Sequence, residues 1–397
     1  MHPTKICVIG LGQVGLPTAA LLASRGNKVL GVDLSPKTVK DTNAGQTNNT
    51  EPGLKKLLKS AVKTKKLAAS TKPSAADIFI ILVPTQATPQ KTLDIKPLKK
   101  AVTSIAKVLE EGNLVLLQST VPPQTTKKVD GLIRKIRPDL KSYYLAYCPE
   151  RVLPGRTIKE LTENNRIIGG LTTVSTKKAA GFYKTFVTGK IELTDAPTAE
   201  LCKLAENAFR NVNIAFANEL SMICDAAGGN AWEVIRLANT HPRVKILTPG
   251  PGVGGRCLAA NTEFLKAAAS EKTPLIKASR QVNEEKTRWV TEKIRQTATN
   301  RKNPVIGCLG ITYKADVSGT SGSPAMKVID ALRQKKTGKI IVCDPHATRT
   351  GNTKLLPLQK VLSKSNIIAI LVAHKEFKNI RKKIRGKEIL DFCGALE

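Results

Sequence analysis

The segment KICVIGLGQVGLPTAALLASRGNKVLGVD, residues 5–33, constrains the fold more than any other stretch. A short apolar run ends in Gly10, and Gly12 and Gly15 follow at spacings of two and three. A helical pattern then leads to a second apolar run that closes on Asp33, 18 residues after Gly15. Glycines at this spacing permit a tight turn, a close approach of backbone to ligand, and close packing of helix on strand. The free amides at the start of such a helix point at an anion. Asp33 is placed to accept hydrogen bonds from ribose hydroxyls and to repel a 2′-phosphate, which points to NAD rather than NADP.

The same alternation continues. Apolar runs at 77–83, 113–118 and 143–148 are separated by segments of helical period. Continuous apolar strands alternating with helices predict a parallel, doubly wound sheet. Residues 197–227 carry apolar positions at helical spacing, with Pro197 in the first turn and Gly228-Gly229 as a stop. Helices are also expected near 257–269 and 273–298. Strand–helix alternation returns from about 303, with runs at 304–310, 339–344, 366–373 and 388–392. The fold expected is α/β: two Rossmann-like doubly wound domains joined by a long central helix. The expected boundaries are 1–195, 196–300 and 301–397.

Composition narrows the function classes. Lysine and arginine number 64 against 31 acids, a net charge of +33. Such a surface attracts polyanions, but the basic residues are scattered and aromatics make up only 4% of the chain. Specific nucleic-acid binding is therefore not expected. No run approaches the ~18 apolar residues of a membrane helix. The chain enters a strand pattern within a few residues of its start, with no room for a signal peptide, so a cytoplasmic location is expected. None of the eight cysteines forms a C-x-x-C pair, and with four histidines no metal site is expected. Six cysteines lie in or beside apolar runs and read as inert core thiols. Cys257 differs, because it follows GPGVGG where a helix is expected to begin. A thiol in that setting has its pKa lowered by the helix dipole, and Arg256 beside it adds positive charge.

Several blocks fall in the order of one family. They are GLGQVGLPTAA, STVPP (119–123), YCPERVLPG (147–155), AELCKLAENAFRNVNIAFANEL (199–220), HPRVKILTPGPGVGGRC (241–257) and GITYKADVSGTSGSPAMK (310–327). Through them the chain resembles the UDP-glucose/GDP-mannose dehydrogenase family. The resemblance implies oxidation of the C6 alcohol of a UDP-sugar to a carboxylate with two NAD and one cysteine. The blocks at 241–255 and 148–155 are most similar to members acting on UDP-N-acetyl-D-mannosamine. UDP-glucose and UDP-N-acetylglucosamine are the alternatives. The implied catalytic residues are Cys257 as nucleophile, Lys203 for the oxyanion, Glu150 as general base, Thr85 ordering a water, and Asn207 with Asn261 positioning. The implied cofactor residues are Gly10, Gly12, Gln13, Val14, Gly15, Asp33, Thr85 and Thr120. The nucleotide-sugar is assigned to Arg151, Val152, Leu153, Arg210, Arg243, Gly254 and Lys314. The long helix is expected to pair with its counterpart in a homodimer, and the product to feed surface-polysaccharide synthesis.

Four positions depart from the family pattern. Asn261 replaces a carboxylate four residues after the cysteine, Gln118 replaces a glutamate, Arg256 replaces a histidine or serine, and Ser318, Gly319 and Ser321 replace two aspartates and an arginine. An asparagine can orient a water but cannot take its proton. Slow turnover and weak NAD binding are expected. A nucleotide-sugar binder with little catalysis, and a polyanion-binding protein on the same scaffold, are the rival readings.

Overall fold

The computed structural model describes residues 3–87, 93–255, 262–266, 268–348 and 351–397. They form two compact units, Met1–Ala205 and Glu206–Glu397.

The first unit is built on an eight-stranded sheet. Its strands are β1 Lys5–Ile9, β2 Lys28–Val32, β3 Leu67–Ser70, β4 Ile78–Ile81, β7 Leu114–Leu117, β8 Tyr144–Tyr147, β9 Arg166–Gly170 and β10 Ile191–Asp195. Two short strands, β5 Gln86–Ala87 and β6 Leu93–Asp94, form a separate antiparallel ladder. The sheet order is β10-β9-β8-β7-β4-β1-β2-β3. From β3 to β8 every pair is parallel; β9 joins β8 antiparallel, and β10 follows β9. The order reverses between β1 and β4, which makes the carboxyl ends of these two strands the crevice where such sheets bind ligands.

Strand burial explains the register. Ile6 and Val8 of β1 face the core under helices Gly15–Ser24 and Leu54–Lys63. Cys7 and Ile9 face the opposite core, under helices Lys96–Ala106 and Thr125–Ile136. The four residues of β4, IFII, are all buried. Each such side chain contributes about 1.5–3 kcal/mol on burial, so a one-residue slip is strongly disfavoured.

The helix Ala196–Ala227 runs for 32 residues. Its stop is as expected: Gly228 has φ +75°, and the Gly229 amide donates to Cys224 O at 2.8 Å. Near its start Glu200, wholly buried, accepts from the Thr126 amide and hydroxyl at 2.7 and 2.6 Å and from the Gln124 amide at 2.6 Å. This carboxylate sits on the amino end of helix Thr125–Ile136 and satisfies its otherwise orphaned amides.

The second unit carries a four-stranded parallel sheet of β11 Val305–Leu309, β12 Lys339–Cys343, β13 Ile367–Ile370 and β14 Glu388–Asp391. Its order is β12-β11-β13-β14. Val290, Ile294, Val328 and Leu332, from helices Pro274–Thr299 and Pro324–Gln334, cover one face. Val361, Leu362, Phe377 and Ile380 cover the other. Among the described residues, no helix is long and apolar enough to cross a membrane.

Candidate functional site

In the first unit the glycine loop fits a dinucleotide. Gly10 has φ +96°, and a side chain on it would meet Leu82 O at 2.5 Å. A side chain on Gly15 would lie 1.8 Å from Gly10 O, so loop and helix can meet only through glycine. Nothing lies within 4 Å of the Cβ that Gly12 lacks, which leaves the backbone open to a ligand. The helix that follows has Val14 at its cap, no side-chain cap hydrogen bond, and no acid in its first turn. Its leading amides suit a pyrophosphate. Gln13 contributes its carbonyl to Asn49 Nδ2 at 3.1 Å, which ties the loop to the segment after helix Pro36–Asn43. Asp33, just past β2, accepts from the Leu11 amide at 3.0 Å and the Ser35 amide at 2.9 Å. Two of its roughly four lone-pair positions are thereby used, and the others can take ribose hydroxyls. The donor set and the open space over Gly12 fit NAD.

The ends of β4 and β7 are tied together beside this loop. Thr85 Oγ1 donates to Thr120 O, and Ser119 Oγ donates to Val83 O at 2.8 Å. Thr85 and Thr120, expected at the cofactor, are therefore neighbours.

Glu150 and Lys203 are also brought together. Lys203 Nζ donates to the main-chain carbonyl of Glu150, and the Glu150 carboxylate accepts from the Val152 amide. Burial pushes the Glu150 carboxyl up, against the opposing pull of Lys203, the Val152 amide and Arg166. The loop that follows Glu150 is held by acids that the sequence reading did not single out. Glu51 accepts from the Gly155 amide at 2.8 Å, and Glu160 from the Leu153 amide at 2.7 Å. Arg151 donates to Asn165 O at 3.1 Å, and Leu153 is exposed.

Gln118 lies in a buried polar cluster. Its Nε2 donates to the Tyr183 hydroxyl, while its Oε1 has no partner among the described residues. The Arg166 guanidinium lies 5.7 Å from the centre of the Tyr183 ring.

In the second unit the long helix positions the loop 239–255 through asparagines. Asn213 donates to Lys245 O at 3.1 Å and accepts from the Leu247 amide at 3.0 Å. Asn218 accepts from the Gly250 amide at 2.9 Å and donates to Asn283 Oδ1 at 2.8 Å. Asn283 in turn donates to Asn211 Oδ1 at 3.3 Å, and Thr287 Oγ1 donates to Pro251 O at 2.8 Å. The signal for these residues was present in NAFRNVNIAFAN, where amides recur on a helix that has no need of them for its own hydrogen bonds.

The loop reaches Gly254 and Gly255 against the segment after β11. A side chain on Gly254 would meet Pro324 Cδ at 2.6 Å and Gly322 O at 2.9 Å. Gly255, with φ +87°, lies against the Tyr313 ring. Beside Tyr313, partial burial and then the charge of Arg210 push the Lys314 ammonium down. Arg210, Gly254 and Lys314 thus belong to this second unit together. Arg243 is exposed, its amide donating to His241 Nδ1 at 3.3 Å, and Asn207 is half-buried on the long helix. Ser318 and Ser321 are exposed. Arg256, Cys257 and Asn261 lie outside the described residues, as does the expected helix start at Cys257; helix is described from residue 262. Six of the other cysteines are buried and Cys202 is half-buried. Burial pushes the thiols of Cys7, Cys148 and Cys308 up to about 12.

Comparison with known proteins gives three consecutive family matches. Residues 4–187 match the NAD binding domain of the UDP-glucose/GDP-mannose dehydrogenase family, 197–285 its central domain, and 307–397 its UDP binding domain. An NDP-N-acetyl-D-galactosaminuronic acid dehydrogenase of Ralstonia nicotianae is 42% identical over 403 residues, 98% of this chain and 95% of that protein. A UDP-N-acetyl-D-mannosamine dehydrogenase of Methanocaldococcus jannaschii is 44% identical over 398 residues, 98% of this chain and 91% of that protein. Among solved structures, the UDP-D-ManNAc dehydrogenase of Pyrococcus horikoshii superposes with a TM-score of 0.91 at 36% identity, covering 99% of this chain and 96% of that one.

Proposed function

Because the chain belongs to the UDP-glucose/GDP-mannose dehydrogenase family and is an NAD-dependent oxidoreductase acting on nucleotide-sugars, we propose that it oxidises the C6 alcohol of UDP-N-acetyl-D-mannosamine to the uronic acid through Cys257. Relatives named for 2-acetamido sugars are 42–44% identical over nearly the whole chain, which supports that sugar class. The N-acetylgalactosamine type is the second reading, since its named relative is as similar.

The observation that carries the chemistry is the pairing of Glu150 with Lys203. A cation beside a carboxylate whose proton affinity is raised by burial suits oxyanion stabilisation and proton abstraction at one place. Held by the glycine loop and Asp33, NAD+ would supply the hydride acceptor for both oxidations at C6. Loss of a hydride to the cofactor and of the hydroxyl proton to solvent would leave an aldehyde, with Lys203 stabilising the oxygen as charge develops on it. The Cys257 thiolate adds to the aldehyde carbon. Loss of the second hydride turns the adduct into a thioester. Glu150 takes a proton from the attacking water, the carbon–sulfur bond breaks, and the carboxylate and thiolate are released. Thr85 orders that water, and Asn207 and Asn261 orient the reacting oxygens. Arg210, Arg243, Gly254, Lys314 and residues 151–153 hold the nucleotide-sugar. The glycine loop with Asp33, Thr85 and Thr120 holds NAD.

The active form is a homodimer through the long helix. Phe209, Phe216 and Ile223 recur at intervals of seven along it and are 70%, 52% and 57% exposed. A contiguous apolar stripe of this kind is what a partner helix covers.

The test is NADH formation with UDP-N-acetyl-D-mannosamine, UDP-N-acetyl-D-galactosamine and UDP-glucose, with Cys257→Ala as control. The expected result is two NADH per N-acetylmannosamine unit, lost in the variant. A thermal shift with UDP-sugar and no NADH would favour the binding-protein reading that Asn261 and Ser321 raise.

A further inference from the structure

We propose that the second unit contains a divalent-metal site, formed by His346 Nε2, Asp316 Oδ1 and Glu376 Oε2 at the carboxyl ends of β11, β12 and β13, and that its ion is zinc. Asp316 follows β11, His346 follows β12, and Glu376 lies in the turn Lys375–Phe377 after β13. These strands are neighbours in the order β12-β11-β13, and the chain reverses direction across the sheet between β11 and β13. The crevice above such a reversal is where open parallel sheets take ligands.

The spacing suits a small dication. His346 Nε2 lies 3.1 Å from Glu376 Oε2 and 3.5 Å from Asp316 Oδ1. Zinc bonds of ~2.0–2.1 Å to nitrogen and oxygen in a tetrahedron require ligand atoms ~3.3–3.4 Å apart. Donor atoms of Asp316, His346, His374 and Glu376 all lie within 4.8 Å of one another.

His374 is wholly buried and supports the site from behind. Its Nδ1 accepts from the Asp316 amide at 3.0 Å, so that lone pair is committed and three protein ligands remain. Its Nε2 donates to Asp344 Oδ2 at 3.1 Å, with Thr312 Oγ1 also at 3.1 Å. Asp344 also accepts from the Ile311 amide at 2.7 Å and from the His346 amide at 2.8 Å. The Asp344–His374–Asp316 chain fixes the Asp316 loop, where Asp316 itself has φ +56°. Metal ligands are ordinarily oriented by such an outer layer of hydrogen bonds. The local composition also runs against the background. Three carboxylates converge here on two of the four histidines, in a chain with twice as many basic residues as acidic ones.

Mixed imidazole and carboxylate donors favour zinc-like dications, whereas magnesium prefers an all-oxygen shell. Three protein ligands leave one tetrahedral position for water. The ion would cross-link three separate loops on one sheet edge.

Full-length protein, stripped with a chelator and dialysed, is titrated with Zn²⁺ and Mg²⁺ by calorimetry, and melted with and without Zn²⁺. One zinc per chain, a raised melting temperature and no magnesium heat are expected. His346→Ala and Glu376→Gln, at a half-buried and an exposed position, should each weaken zinc by ~100-fold or more, since even outer-layer changes cost ~10–100-fold. Their metal-free melting should stay near that of the parent. Footprinting with a histidine-modifying reagent gives a variant-free readout: zinc should protect His346 and leave His241 labelled. No stoichiometric binding, equal binding in both variants (zinc held by cysteines), or unprotected His346 would each overturn the site.

Discussion

Glu150 shows how one residue's surroundings set a pH dependence. Burial is the largest influence on its carboxyl and raises the pKa above the usual 4.5, with Lys203 and the Val152 amide opposing. The proposed base works only when deprotonated, so kcat/KM should climb with pH through this raised value. The acid limb of the profile is expected above 4.5. Stability has the opposite sign. The folded state binds this proton more tightly than the unfolded chain, so the contribution of Glu150 falls as pH rises from 4.5 through the folded value. Glu150→Gln keeps the acceptor for the Val152 amide and loses the base. It should lower kcat by ~10²–10⁴-fold and erase the acid limb, as initial rates across pH will show.

At the scale of elements, the amides of helix Ala196–Ala227 do for the loop 239–255 what capping residues do for a helix end. Asn218 is wholly buried and satisfies both the Gly250 amide and Asn283. Asn218→Ala would remove the partner of the part-buried Gly250 amide and of the buried Asn283 carbonyl, the latter at ~1–3 kcal/mol. The expected outcome is a lower melting temperature and a reduced kcat, with NAD affinity unchanged by fluorescence titration because the glycine loop belongs to the other unit. This element also marks how far the sequence could be read. β1, β2, β4, β7 and β8, the long helix and the four strands of the small sheet were legible, because each is a continuous apolar run or a sustained period. β3, reading LAAS, is too short and too weakly apolar to stand out from a loop. β9 and β10, reading RIIGG and IELTD, lie at the far edge, and β10 is largely exposed, so no apolar run announces it. The glycine loop and Asp33 stood out as a motif, whereas Glu150 and Lys203 entered only through the resemblance to the family. Glu51, Glu200 and the Asp316–His346–Glu376 group were not legible, since each acts on residues distant in sequence that only the fold brings near.

For the molecule as a whole, the charge of +33 is a property of the surface. It predicts non-specific DNA binding at low ionic strength that disappears near physiological salt. A filter-binding or anisotropy series in salt should show log affinity falling linearly with log salt, without preference among sequences. A preference that survived high salt would require a built nucleic-acid site instead. The buried thiols bear on a different matter. Six of the seven described cysteines are buried, and in Cys7, Cys148 and Cys308 the thiolate is suppressed as well. Among the seven described cysteines, an electrophile meeting the native protein therefore finds only Cys202 less than buried. Most of its sulfur is hidden stock, and selectivity for a covalent inhibitor or a single-site label comes from the folding of the other six.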